Sequence, residues 1–575
     1  MKIKSIISIL LILLSLVFIL SCKQYFFWGK NTDFVVLPHH NLTYQALDEY
    51  YKKLWEKNYK NIVIISPNHF ATGNNKMQSF QHNAKYCFQK FCVNGKMFPN
   101  YNQAEFQFDF STQVDKNTYK IDEHWVGTHF EYISKYMLKT WVYALVVQRE
   151  YSDFSNANKV IKFIEQQKFS WNTLFVASVD FSHHVEENFA KIHDYKTVFE
   201  MTNGNFENLE VDCASCLYIQ KRLADKYWKK YFSFINRTSV DTLLSKNTNN
   251  ENTSHIFWEY ISQKPQNNFN VLDDYISLEL DEKLASWGLV TGMFFWDFNF
   301  ADRWYAEIVR REKATPQELL DVFAKEEKPE LFWNKYIHTK LSSFDFVSAN
   351  LETSVYKDVN DCQYSQKNII LKSHEKYLKY FKNIWISHVS LANNHSYDCG
   401  EIWFETTKKY LNENNIKYFW DGRKKESNIL LQEINGQKIA FVWFNDTSYQ
   451  VAWEEKYKII SELQQKNYFI IVNIHWGNEY ETQNNSRQKF LARKFIENWA
   501  DLIIWHHPHV VQNYEIIDGV PVFYSLWNFF FDQPMQETLK WMWVFFVLEA
   551  NILKVKPIYL YRDSKFMKIQ YFSNQ

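Results

Sequence analysis

The chain has 575 residues, more than one ordinary domain holds, so two domains of about 200–300 residues are the starting expectation. Its 65 basic and 65 acidic residues give a formal net charge of +0, which gives no reason to expect nucleic acid or an anionic surface as the main partner. Glycine is scarce at 12 residues and tryptophan abundant at 22; an α/β chain needs glycine at turns and helix ends, where ~7% is usual.

Residues 1–22, MKIKSIISILLILLSLVFILSC, carry Lys2 and Lys4 ahead of an apolar run from Ile6 to Leu20. This is the pattern of an export segment. Ser21 before Cys22 resembles a lipoprotein cleavage box, with Leu20 a less usual residue within it. An uncleaved anchor is the alternative. Both readings predict an extracytoplasmic chain tethered to a membrane, through a lipid on Cys22 in the first.

In the first half, the apolar runs NIVIIS, WVYALVV and TLFVASV have the length and the β-branched content of buried strands. Amphipathic stretches lie between them, so an α/β domain is predicted over 34–262. Histidines follow apolar runs in VVLPHHNLTYQALDEYY (35–51), IISPNHF (64–70), IDEHWVGTHFEYI (121–133) and VASVDFSHH (176–184), and DCASCLYIQK follows at 212–221. These motifs resemble the Memo-like family, called AmmeMemoRadiSam system protein B in bacteria, which is similar to class III extradiol dioxygenases. The resemblance implies His39, His69 and His183 as metal-facing residues with Cys213 near them, and places Glu123 and His124 on the family's Glu-His motif. Three histidines and a thiol suit one ion of iron, copper or zinc. Strand-end histidines in a polar pocket without metal are the competing reading, and the resemblance assigns no reaction.

Six cysteines follow Cys22. Cys87 with Cys92, and Cys362 with Cys399, are candidate disulfides in an exported protein. Cys213-Ala-Ser-Cys216 has redox or metal spacing, but no second CxxC accompanies it. The polar stretches SKNTNNENTS (245–254) and QKPQNNFNVLDD (263–274) read as surface loop and linker, with the boundary at 263–284.

The second domain is expected over 285–570. Its apolar runs are LVTGMFF, DFVSANL, ISHVSLA, KIAFVWF, YFIIVNIH, DLIIWHH and VPVFYSL, separated by helical stretches such as EIWFETTKKYLNEN and QKFLARKFIENWA. Polar residues suited to metals sit at their ends: Asp297, Asn350, Glu352, Asn394, His395, His475, His507 and His509. Carboxylate, amide and imidazole are the donors of hard and borderline divalent ions, and ligands at carboxyl ends of neighbouring strands converge. In extended backbone His507 and His509 point to one side.

Over about 287–555 the motifs WDFNFADR, DFVSANLET, SLANNHSYDCGEIWFETTKKYL, NIHWGNEYE, WADLIIWHHPHVVQNYEI and VPVFYSLWNFFFD resemble the CapA family of poly-γ-glutamate capsule proteins, similar to calcineurin-like metallophosphoesterases. The resemblance implies an α-β-β-α sandwich holding two divalent ions, of Mn, Fe or Zn type. Asp297, Glu352, Asn394, His475, His507 and His509 would be ligands, and His395 the acid near the leaving group. One position departs: Asn299 stands where that superfamily's first motif usually has His. Two functions follow. One is metal-assisted hydrolysis or transfer on an extracellular polymer such as poly-γ-glutamate, beside capsule machinery. The other is a non-catalytic scaffold that binds polymer or partner and uses its metals structurally.

The same comparison accounts for the odd composition. Where the CapA pattern has glycine, this chain has Trp296, Trp304, Trp385, Trp403, Trp420, Trp443, Trp499, Trp505 and Trp527. Trp476 stands where that family itself often has tryptophan. A consistent one-for-one replacement points to UGA codons read as glycine in the source and written as tryptophan here.

Overall fold

The computed structural model describes residues 32–68, 77–99, 110–167, 169, 172–246, 248, 252–265, 269–280, 288–298, 341–357, 370–375, 378, 381, 385–420, 429–447, 453–526, 536–562 and 569–571. The chain divides into two compact units, 1–271 and 272–575. Among the described residues no helix is long and apolar enough to cross a membrane; the expected export segment and Cys22 lie outside them.

The first unit is built on an eleven-stranded sheet. Asp33–Leu37, Thr173–Ser178, Asn61–Pro67 and Trp141–Val147 run parallel at its centre. Every residue of Asn61–Pro67 and Thr173–Ser178 is buried, as continuous apolar runs require when both sheet faces are covered. Helices Ser155–Gln166 and Ala214–Lys226 pack in one apolar cluster, and Tyr44–Trp55 and His124–Tyr136 in another. Ser254–Ile261 joins antiparallel to Asp33–Leu37, with Tyr231–Ser239 beyond it. Cys87 and Cys92 face each other in an antiparallel hairpin and form a disulfide. Cys213 is bonded to Cys216. Cys399 is also disulfide-bonded; its expected partner Cys362 lies outside the described residues.

The second unit holds two larger mixed sheets. In one, Leu289–Phe298, Phe346–Leu351, His388–Ser390 and Lys417–Phe419 run parallel, and Lys540–Glu549 lies antiparallel to the first of them. In the other, Gln437–Asn445, Phe469–His475, Leu502–His506 and Val520–Phe523 run parallel. Aromatic side chains interlock between the sheets: Phe346 meets Phe441 at 5.2 Å and Phe469 meets Phe546 at 5.6 Å between ring centroids. Helices Trp453–Gln465 and Ser486–Glu497 cover the outer face of the second sheet. This is a layered α/β unit with a dry core between sheets.

Helix ends test the tryptophan pattern. After Glu187–Thr202 the chain turns through Gly204 at φ 84, and after Glu401–Glu413 and Trp453–Gln465 through Asn415 at φ 56 and Asn467 at φ 59. Each next amide closes a hydrogen bond back into the last turn, as Asn205 N–H does to Glu200 O at 2.9 Å. Glycine or asparagine is the expected occupant of that left-handed position. Yet Trp499 fills it at φ 78, with Ala500 N–H to Phe495 O at 3.0 Å, and Trp228 at φ 62, with Lys229 N–H to Ala224 O at 3.0 Å. Trp385 at φ 57 precedes an identical bond from Ile386 N–H to Phe381 O at 2.9 Å. All three indoles are exposed, so burial does little to compensate the strained backbone. Trp505 shows a different misfit. It is fully buried, and its ring shares space with that of Trp476, far inside the ~4.5–7 Å spacing of packed aromatic rings. Trp403, Trp420 and Trp443 sit on backbone that makes no demand for glycine. The side chain of Trp296, and all of Trp304 and Trp527, lie outside the described residues.

Candidate metal centres

In the second unit, parallel register places Asp297 opposite Asn350 and Asn350 opposite Ser390, so Glu352 and the Asn393–His395 turn emerge at one carboxyl edge. In the facing sheet His475 pairs with His506, and both end their strands. The two edges meet. Glu352, His475 and His507 are all buried, with ligand atoms within 4.8 Å of one another. His475 Nε2 lies 3.6 Å from Glu352 Oε1 and 2.7 Å from Asn394 Oδ1. A carboxylate with no solvent exposure is costly unless cations or hydrogen-bond donors compensate it. Carboxylate, amide oxygen and imidazole aimed at one point fit a divalent ion. The Asp297 side chain and Asn299 lie outside the described part.

His395 stands at the rim. Its Nδ1 is 2.6 Å from Asp398 Oδ2, and its Nε2 is 4.0 Å from Glu352 Oε1. A carboxylate accepts, so Nδ1 is the nitrogen that donates to Asp398, and Nε2 is turned toward Glu352. Asp398 is itself fixed, since it also accepts Leu371 N–H at 2.7 Å. The sequence reading did not single out Asp398; its place three residues after His395 was the available clue.

His507 and His509 do not lie in extended backbone. Pro508 separates them, and both have left-handed φ, 102 and 55. The residue before a proline ordinarily goes to extended backbone, so the positive φ of His507 is a strained conformation held by the surrounding turn. The rings are 5.9 Å apart. His507 joins Glu352 and His475, whereas His509 groups with His507 and Glu479. The third histidine of the run, His506, stacks on Trp443 at 5.1 Å.

In the first unit, Leu37 pairs with Ser178, so the parallel strands deliver His39 and Asp180 side by side. His39 Nε2 lies 3.3 Å from Asp180 Oδ2 and 3.0 Å from Asp212 Oδ2, all three residues being buried. His39 Nδ1 meets Ser178 Oγ at 3.1 Å, and His255 Nδ1 meets Asp180 Oδ1 at 3.1 Å. This histidine with two carboxylates also fits a metal ion. His183, paired by a bridge to Thr253, feels both carboxylates, yet burial pulls its pKa down. Glu123 caps helix His124–Tyr136 by accepting Trp125 N–H. Cys213, in its disulfide, offers no thiolate; its neighbour Asp212 reaches His39 instead. His69 lies outside the described residues. Asp180 and Asp212 stand inside the quoted motifs, where histidine and cysteine drew the weight.

These charges set a pH dependence. Burial opposes a charge on His39, but the Asp180 and Asp212 carboxylates outweigh it and hold the pKa above its ordinary value. Burial likewise opposes the Asp180 carboxylate, and His39 and His255 outweigh it and hold the pKa low. The His39 contribution to stability is full below about 6.5 and is lost as pH rises through its raised pKa. The Asp180 contribution is full above about 3.9 and is lost on acidification. Urea unfolding of the metal-free protein should therefore find this unit most stable between about pH 4 and 6.5 and weaker toward alkaline pH. His39→Gln should flatten the alkaline side; an unchanged profile in that variant would exclude His39 as the source.

Comparison with known proteins divides along the same two units. Residues 314–533 match the family model described as bacterial capsule synthesis protein PGA_cap, and residues 20–254 match the Memo-like protein model. The capsule biosynthesis protein CapA of Bacillus anthracis is 32% identical over 253 residues, covering 40% of this chain and 62% of that protein. The PGA biosynthesis protein CapA of Bacillus subtilis (strain 168) is 32% identical over 222 residues, covering 36% of this chain and 58% of that protein. The chain thus spans about three-fifths of the length of these relatives. A hypothetical protein from Thermus thermophilus is aligned over 49% of this chain and 99% of its own at 10% identity, with a TM-score of 0.28 that supports no argument.

Proposed function

Because its C-terminal half is a capsule-synthesis domain of the PGA_cap family and its N-terminal half a Memo-like domain, we propose that this chain acts in the synthesis, release or anchoring of an extracellular polymer such as poly-γ-glutamate. The observation that carries the enzymatic form is the buried Glu352–His475–His507 group with the His395–Asp398 pair beside it. A divalent ion held there, with Asp297, Asn394 and His509 as further ligands, would supply Lewis-acid charge and an activated water. His395, protonated on both ring nitrogens, would give its Nε2 proton to the leaving atom and keep Nδ1–H on Asp398. Asp398 would stabilise that imidazolium and hold its outer nitrogen toward the substrate. Glu352 and His475, buried at the base, keep bulk water from the reacting face.

The experiment is metal analysis beside hydrolysis of phosphodiester and γ-glutamyl substrates, on protein made with the source's codon table. Metal is expected in the native protein and lower occupancy in His507→Ala, with chelator abolishing hydrolysis. A protein that holds metal yet hydrolyses neither class would establish the scaffold reading, which the Asn at position 299 favours. Export and tethering through Cys22 complete the proposal, supported by the apolar run that precedes it. Native protein should partition into detergent with its lipid; a Cys22→Ala protein that partitions equally well would indicate the uncleaved anchor instead.

A further inference from the structure

We infer that His129 is a positioning residue for the centre of the first unit: through Ser178 it fixes which nitrogen of His39 is offered to an ion. This rests on reading His39, Asp180 and Asp212 as a metal group, and is independent of the C-terminal unit. His129 has no solvent exposure. Val126 and Ile133, one turn away on the same face of helix His124–Tyr136, belong to an apolar cluster that also holds Tyr51. A leucine at 129 would avoid the cost of burying a polar ring. Yet both ring nitrogens are used. Tyr51 Oη lies 2.9 Å from Nδ1, and Ser178 Oγ lies 2.9 Å from Nε2. Burial, with the nearby charge of His39, pushes the His129 pKa down to about 3, so this ring is neutral around pH 7.

Ser178 decides the rest, because three groups crowd one hydroxyl. Its Oγ lies 2.7 Å from Trp125 O, 2.9 Å from His129 Nε2 and 3.1 Å from His39 Nδ1. A carbonyl has no proton to give, and two oxygens at 2.7 Å repel unless a hydrogen lies between them. The hydroxyl hydrogen therefore goes to Trp125 O. The two lone pairs left on Ser178 face two ring nitrogens, and each nitrogen must donate. His129 carries its proton on Nε2, and its Nδ1 accepts from Tyr51 O–H. His39 carries a proton on Nδ1, which leaves Nε2 to face Asp180 Oδ2 at 3.3 Å and Asp212 Oδ2 at 3.0 Å. A metal-ligating histidine gives its other N–H to a fixed acceptor. A hydroxyl is an ambiguous acceptor, since it can also donate. The His129 N–H on one side and the Trp125 carbonyl on the other remove that ambiguity. Without His129, the hydroxyl can turn its hydrogen to His39 Nδ1, and the His39 proton then occupies Nε2, the atom an ion needs.

The test uses the full chain in detergent, stripped by chelator and titrated with Zn²⁺, with bound metal counted at each step. The class of ions that His39→Gln abolishes reports the first-unit centre. His129→Leu fills the apolar space and removes the N–H; it should weaken that class by about tenfold or more. His129→Gln can give an amide N–H to Ser178 and accept from Tyr51, and should restore most of the binding. Packing alone would favour leucine over glutamine in this place, the opposite order. In the Zn²⁺-loaded parent, ¹⁵N NMR of the ring that His39→Gln removes should show metal on Nε2 and a proton on Nδ1. Equal Zn²⁺ binding by the parent and His129→Leu, or metal on Nδ1, would overturn the positioning role alone. A parent from which His39→Gln removes no ion would overturn it together with the reading of the centre.

Discussion

His395→Ala is expected to leave metal bound and to slow turnover roughly 10²- to 10⁴-fold, the span of a lost general acid. The geometry separates this residue from the ligands. Its Nδ1 is committed to Asp398 at 2.6 Å, and its Nε2 stands 4.0 Å from Glu352 Oε1, too far for a hydrogen bond to that oxygen. His475, by contrast, lies deeper and closer to the same carboxylate. Metal counting beside a phosphodiesterase assay distinguishes the roles. If His395→Ala lost metal as fully as His507→Ala, His395 would be a ligand and the assignment would fail. Asp398 orients His395, so Asp398→Asn should keep metal while lowering kcat with little change in KM. An unchanged kcat would reduce Asp398 to a structural partner of Leu371 N–H.

Protein made with glycine at positions 228, 385, 499 and 505 is expected to be more stable than protein made with tryptophan there, by several kcal/mol in sum. A left-handed residue with a Cβ costs roughly 1–2 kcal/mol relative to glycine, and three of these positions are left-handed. At 505 the term is steric. Two indoles share one buried space, and overpacking of this kind costs typically ~1–3 kcal/mol. Trp476 keeps its place once position 505 is glycine. The genomic codons for 228, 296, 385, 499, 505 and 527 should be UGA, and that for 476 UGG. Peptide masses from the native protein decide the matter directly: tryptophan at 385, 499 and 505 would sink the recoding. Thermal or urea unfolding of the two forms then measures the strain.

The strands of both units were legible because continuous apolar runs of six to eight residues leave little choice but burial. His475 and the His507–His509 loop were legible because each directly follows such a run. What the sequence could not show was which sheet each run joins. Glu352 and His475 lie more than a hundred positions apart, and the packing of the two sheets, Phe346 on Phe441 and Phe469 on Phe546, brings their strand ends together. Asp180, Asp212, Asp398 and Glu479 look in a sequence like turn or cap residues, which carboxylates usually are. Extended geometry for His507 and His509 failed because both take positive φ in the turn around Pro508, although a residue before proline ordinarily goes to extended backbone. Trp228 stands outside the quoted motifs, and its φ of 62 alone marks it as a glycine-type position.

The Glu352–His475–His507 group has one further consequence, for how the second unit holds together. Glu352 ends a strand of one sheet, while His475 and His507 belong to the other. An ion bound among them would be a cross-link between layers also joined by aromatic packing and by hydrogen bonds such as that of His388 with Gln432. It can form only after both sheets have docked, so its binding free energy is realised in the native state alone. Such a ligand at a hundredfold excess over its Kd adds about 2.7 kcal/mol to folding. Metal supply would then govern more than chemistry: in a depleted medium the second unit would become the protease-sensitive half of the molecule, and the cell would lose the protein itself rather than only its activity.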